Sequence, residues 1–260
     1  MAVRFNAAAD KLVRTTDFPT ADGASHSVCF WMRREGDGSA NFENPWSLAP
    51  TTPPGGVPNI EITRSTSQVE AYPYESPGVT IHPEISNDVW YFAWAIFDAA
   101  YDVTADCLAI GDAPTAGHTA TSAKTFTPAT MELGTCSFYS QNFVGSIAAY
   151  KHWSAVLTPT EIQQERWLYR PKRLESLHLW SPLIVNSRDY SGNGRDWTEG
   201  GTLTWEDGPP IGWGASPLSV GATVSGFTVA QASPIAATAS VLVPSTRILY
   251  PGSVIPTITL

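Results

Sequence analysis

The sequence predicts an all-β protein, a two-sheet antiparallel sandwich with one short helix and an extended β-rich C-terminal tail. Three observations carry this. Only 15% of the residues are charged, while 20 glycines and 21 prolines punctuate the chain, a balance that suits many strands joined by turns. Ten tryptophans within a 43% hydrophobic composition supply the bulk of a wide core, which 260 residues are enough to bury. Apolar residues recur with period two along most of the chain, and a fully capped helix start is legible at one place, residues 157–162.

Taken in order, residues 25–32 alternate, with Val28, Phe30 and Met32 on one face and Cys29 and Trp31 on the other. Residues 41–58 are rich in Pro, Gly and Thr and read as a long loop. Residues 60–74 read as a partly exposed hairpin. Residues 89–97 are apolar on both faces, the mark of a central strand covered on each side. A turn and return strand follow over 98–112, and two further strands over 125–138 and 145–153. Trp90, Trp94, Trp153 and Trp180 are assigned to the core.

The helix start is specified side chain by side chain. Thr158 is the N-cap, Pro159 occupies the first helical position, and Glu161 reaches back to close a capping box. Leu157 and Ile162 form a hydrophobic staple across it. Pro171 is the expected stop, because the residue before a proline is pushed out of the helical region. After the helix, Asp189, Ser191 and Asn193 alternate with Tyr190, Gly192 and Gly194 in a polar turn, and a last strand ends at Gly208-Pro209-Pro210.

These motifs together resemble the laminin-G-like, concanavalin A-like group of β-sandwich domains. In that group a strand of the form G-x-I-A-x-(Y/V)-x-x-(W/F) precedes a short Leu-Thr-x-x-Glu-Ile helix. Here the matching residues are Gly145, Ile147, Ala148, Tyr150 and Trp153, then Leu157, Thr158, Glu161 and Ile162. The 189–194 turn resembles the D-x-S-G-N-G turn of many members, and residues 3–13, 27–34 and 87–112 resemble opening strands and a hairpin in the same order. The resemblance covers residues 1–211 and implies a jelly roll over that span, with residues 212–260 as a separate tail. It also implies the kind of domain found in bacteriophage virion proteins, as capsid decoration or tail-associated pieces.

A net charge of −9 argues against a nucleic-acid partner, which needs a basic face. The short basic clusters Arg33-Arg34 and Arg170 with Lys172-Arg173 read as a solvated strand end and helix C-terminus. No stretch approaches the roughly 18 apolar residues of a membrane-spanning helix. Met1 leads within four residues into the strand-like segment at Phe5, so no secretory leader and synthesis in the host cytoplasm are expected. The odd count of three cysteines, Cys29, Cys107 and Cys136, all in strand-like segments, suits burial as free thiols.

From Gly208 to Thr246 no residue is charged. The tail is too apolar for a disordered linker and too short for a core of its own. Its strand-like residues, Phe227, Val229, Val241, Val243, Ile248, Leu249 and Tyr250, are therefore candidates for packing on other subunits, or on a second copy, by strand addition.

Catalytic chemistry has little to stand on. Sandwich glycosidases of the resembled fold use Glu-x-Asp-x-x-Glu on one strand, where alternate residues place two acids beside one glycosidic bond. Glu35-Gly36-Asp37 is the nearest approach, and its third position is Ala40. Asp189, Ser191, Asn193 and Gly194 match the first half of a calcium loop, but the twelfth position is Gly200. Asp98, Asp102, Asp106 and Asp112 flank a hairpin where lectins of this type often hold calcium. Turn-capping acids are the simpler account of both groups. Calcium at Asp98 and Asp102, or at Asp189 and Asn193, is the one cofactor these residues would take. A sugar platform would draw on Trp46, Tyr72, Tyr74 and Tyr139, with Gln141 and Asn142 beside them. The expected role is a non-enzymatic component of a virion assembly, the alternative a lectin module for cell-surface glycans.

Overall fold

The computed structural model describes residues 1–16, 25–38, 41–50, 57–73, 77–122 and 128–213, all within one unit, Met1–Ser216. Along the chain run β1 (Ala2–Phe5), β2 (Lys11–Arg14), β3 (His26–Arg34), β4 (Phe42–Pro50), β5 (Asn59–Thr63), β6 (Gln68–Tyr72), β7 (Val79–His82), β8 (Trp90–Phe97) and β9 (Val103–Ala109). Then come β10 (His118–Ala120), β11 (Pro128–Leu133), β12 (Thr135–Cys136), β13 (Gln141–Asn142), β14 (Gly145–Trp153), the helix α1 (Pro159–Gln164), β15 (Leu177–Ser181), β16 (Thr198–Gly200) and β17 (Thr204–Glu206).

Two antiparallel sheets face each other. An eight-stranded sheet runs β10-β9-β8-β3-β14-β1-β17, with β15 also on β14, and a seven-stranded sheet runs β16-β2-β11-β4-β5-β6-β7. Strand alternation sends Val28, Phe30 and Met32 inward with Tyr91, Ala93 and Phe97, against Trp46, Leu48, Ile60, Ile62, Val69 and Met131 from the opposite sheet. The other face of β3 and β8 is buried as well. Cys29, Trp31, Phe92 and Trp94 pack there under Leu157, Ile162 and Tyr169, which is why β8 reads apolar on both sides. Gly134 turns β11 into β12 at φ 79°, with the Phe5 ring where a side chain would otherwise project.

The helix begins as its sequence dictates. Thr158 Oγ1 accepts the Glu161 N–H at 3.2 Å and Glu161 Oε2 accepts the Thr158 N–H at 2.8 Å. It ends at Gln164, well short of Pro171. The cause is Lys151, 1% exposed on β14, which donates to the carbonyls of Glu165 (2.9 Å) and Leu168 (2.6 Å) and to the Glu165 carboxylate (3.0 Å). Glu165 also accepts the N–H groups of Lys172 and Arg173. Carbonyls that a longer helix would have used in its own ladder are taken by the sheet below.

Two further expectations are corrected. Most of 41–58 is not loop: residues 42–50 form β4, in the middle of a sheet. Pro45, which has no N–H for a ladder, sits in the register shift between Glu43 and Trp46, where it still accepts from Gly134 N–H. Arg34 is not solvated. It is 3% exposed, and its Nη2 lies 2.6 Å from Oε1 of the fully buried Glu43.

Candidate functional site

The outer face of the seven-stranded sheet carries an unusual polar layer. Because Ile60 and Ile62 of β5 and Val69 and Ala71 of β6 point into the core, their neighbours Asn59, Glu61, Thr63, Gln68, Glu70 and Tyr72 stand on the opposite face. On β4, Ser47 does the same, and its hydroxyl donates to the Thr135 carbonyl at 3.1 Å. The β12–β13 hairpin therefore lies over β4. Its Gln141 Oε1 accepts from Asn44 Nδ2, and Thr135 Oγ1 donates to the Gln141 carbonyl at 2.9 Å. Ala49, Val57 and Cys136 seal the space beneath, with Phe138 against them. Tyr139 stands 38% exposed at the hairpin tip, edge-on to Phe138.

At the centre of this layer Glu61 and Glu70 are directly opposed on neighbouring strands. Glu61 is 6% exposed. Burial pushes its carboxyl up to about 7; a hydrogen bond from Asn44 pulls it back, the Glu70 charge pushes it further, and a bond from Asn59 pulls it back again. Glu70 is held on its other side: its Oε2 accepts from the Tyr72 hydroxyl at 2.9 Å and from Thr63 Oγ1 at 3.4 Å. Burial first, and the Glu70 bond second, raise the Tyr72 phenol above its ordinary value. Gln68 Nε2 donates to Thr80 Oγ1 at 2.7 Å along the same face. The layer thus offers a charged acceptor, an acid that exchanges its proton near neutrality, and several side-chain amides.

The residues expected from sequence separate here. Tyr72 and Gln141 belong to this layer, and Tyr139 stands near it on the hairpin. Trp46 does not: it is fully buried, its indole N–H 3.3 Å from the Tyr150 hydroxyl, because β4 is a strand and its apolar positions face the core. Asn142 is 4% exposed beneath the hairpin and offers no open surface. Tyr74 lies outside the described residues, as do Phe227, Val229, Val241, Val243, Ile248, Leu249 and Tyr250. Asn44, Asn59, Glu61 and Glu70 were missed. The available signal was the alternation Ile60-Glu61-Ile62 and Val69-Glu70-Ala71, in which an acid interrupts each apolar strand.

The acids considered for calcium cap turns. Asp98 Oδ1 accepts the N–H groups of Ala100 (2.8 Å) and Asp102 (3.1 Å), and Asp102 Oδ1 accepts that of Ser122 (2.7 Å). Asp189 takes four protein donors: the N–H groups of Trp180, Ser191 and Arg195 and the Ser191 hydroxyl. Asn193 points its amide donor at the carbonyls of Leu177 and His178, both at 3.0 Å. Gly192 and Gly194, at φ 92° and 70°, complete the turn. Among the described residues no group of three or more His, Cys, Asp and Glu could hold a metal. Glu35 pairs with Arg4 and Arg33, while Asp37 pairs with Arg34 and Arg64, so the half-motif disperses into two ion-pair networks.

No protein-family model and no curated protein matches this sequence. Solved structures do. A Bacteroides ovatus protein provisionally assigned as carbohydrate binding superposes over 82% of this chain and 61% of its own, at 14% identity and a TM-score of 0.57. A heptameric SAP-like pentraxin from Limulus polyphemus superposes over 78% of this chain and 93% of its own, at 9% identity and a TM-score of 0.50. The fold is a jelly roll of the concanavalin A-like type. This chain spans less than two thirds of the length of the Bacteroides protein.

Proposed function

We propose that this chain is a non-catalytic carbohydrate-binding module, and that the outer face of its seven-stranded sheet is the binding face. The observation that carries this is the row Asn44, Asn59, Glu61, Glu70, Tyr72 and Gln141. Sugar hydroxyls donate and accept together, and a surface of side-chain amides, carboxylates and a phenol answers both roles. Tyr139 on the neighbouring hairpin supplies an exposed ring for the apolar face of a pyranose. The likeness to a Bacteroides protein assigned as carbohydrate binding supports the same reading. A binding rather than hydrolytic role is supported by Glu61 lying below the surface at 6% exposure, and by the ion pairs that hold Glu35 and Asp37.

A glycan array probed with the full chain, followed by calorimetry on the best ligand, tests the proposal. Tyr72→Ala and Tyr139→Ala are each expected to weaken binding by about tenfold, the loss of one stacking or charge-assisted contact. A chain that retains no glycan, or binding indifferent to both substitutions, would count against it. Assembly into a virion finds no counterpart in those structures. What supports it is the run from Gly208 to Thr246 without a charge, and its test belongs to the whole molecule.

A further inference from the structure

The buried acids of this protein follow a rule with one exception. Glu43 pairs with Arg34, Glu165 with Lys151 and Glu35 with Arg33. Glu61 has no cation, and the carboxylate across from it is another acid, Glu70. No ion pair reaches either one among the described residues. Beside them, Asn44 and Asn59 are 0% and 2% exposed, and the Oδ1 atom of each is buried with no hydrogen-bond partner. Buried carbonyl oxygens are rarely left unpaired, and opposed carboxylates in an apolar setting repel. The same few residues therefore hold two unpaired acceptors and an uncompensated negative charge. A bound cation would relieve all of these at once.

We infer that Asn44, Asn59, Glu61, Glu70 and Gln141 form a calcium site on the outer face of the seven-stranded sheet. The donor set is all oxygen: the Glu61 carboxylate, Asn44 Oδ1, Asn59 Oδ1, Gln141 Oε1 and the Glu70 oxygen that Tyr72 and Thr63 leave open. With both Glu61 oxygens counted, this reaches the six or more ligands that calcium takes, and the absence of nitrogen and sulfur donors disfavours zinc. Asn44 and Asn59 now turn their donor sides to Glu61, and Asn44 also donates to Gln141. A half-turn of each amide exchanges donor for acceptor. It aims both unpaired oxygens at the carboxylate and frees Gln141 Oε1. Calcium tolerates an irregular, flexible shell of this kind, whereas magnesium demands a near-ideal octahedron. The site uses none of Asp98, Asp102, Asp189 or Asn193.

The test uses the full chain, stripped with a chelator and titrated with calcium chloride or magnesium chloride, with no sugar present. Its failure leaves the glycan reading standing, and the converse also holds. Calcium at about 10 mM, above the weakest protein sites, is expected to raise the melting temperature by several degrees and to give saturable heat. Glu61→Gln is expected to fold, because it removes an uncompensated charge, and to lose both signals. Asn59→Ala is expected to weaken calcium by at least tenfold, while Glu84→Gln on an exposed loop leaves it unchanged. No response to calcium, an equal response in Glu61→Gln, or preference for magnesium overturns the assignment.

Discussion

At the residue scale, two buried titratable groups act on stability in opposite directions. Glu61 has an ordinary value of 4.5 that the fold raises to about 7. Between those values the unfolded chain releases a proton that the folded chain keeps, so stability falls as pH rises through the window. The loss is about 3 kcal/mol by linkage. Glu61→Gln should therefore stabilise the calcium-free protein at pH 8 and leave its stability near pH 4.5 unchanged. Denaturant melts at the two pH values check this, and equal gains at both would contradict it. His152 behaves inversely. Full burial, then the charges of His26 and His178, push it well below 6.5, and its ring lies 5.2 Å from His26 and 5.7 Å from His178. Below pH 6.5 the unfolded chain takes up a proton that the folded His152 refuses, so stability declines as the solution is acidified. Its imidazole resonances should stay in the neutral position at pH 5.5, and titration near 6.5 would refute the account.

At the element scale, α1 shows why a well-specified start does not determine an end. Its cap is local chemistry between residues three apart, and Thr158→Ala should cost about 1 kcal/mol. Its end is set by Lys151, fourteen residues from Glu165 along the chain and on a strand beneath. Glu165→Ala would leave a 1% exposed ammonium without its carboxylate, for an expected cost of about 3–5 kcal/mol. The two variants compared by urea unfolding should rank in that order by a clear margin. A similar cost for both would mean that the buried pair contributes no more than an exposed cap. The β3–β8 pair makes the same point for strands. Alternation reads the two faces correctly, but the cover over Trp31 and Trp94 comes from residues 157–184, far along the chain.

At the scale of the whole molecule, the two sheets have different outer faces. The eight-stranded sheet is sealed by α1 and the segments around it, while the seven-stranded sheet presents the polar layer. The C-terminal end of the described unit closes with Tyr169 N–H donating to the Gly212 carbonyl at 2.8 Å and the Trp213 ring stacked 5.2 Å from Tyr169. A chain cut after Trp213 keeps these contacts and is expected to hold the melting temperature of the full chain. If residues 212–260 serve assembly, the full chain should sediment as an oligomer and the cut chain as a monomer. Two well-behaved monomers would count against the assembly proposal.

By itself the sequence determined whatever depends on near neighbours. The inward and outward sides of residues 28–32 follow from period two, the helix start from a four-residue box, and the turn at 189–194 from residues that accept positive φ or cap a backbone N–H. Burial of the three cysteines, all unpaired here, followed from the same patterning. Only the tertiary structure decided what depends on register and burial. β4 needs a bulge to accommodate Pro45, and a bulge exists only against a partner strand. Glu61 faces Glu70 because β5 and β6 pair in one register out of several, and Asn44 joins them because the hairpin of 135–142 folds over β4. His26, His152 and His178 meet from three separate strands. In each case the energy lies in desolvating a polar group beside a particular neighbour, and one-dimensional spacing carries no record of which neighbour that is.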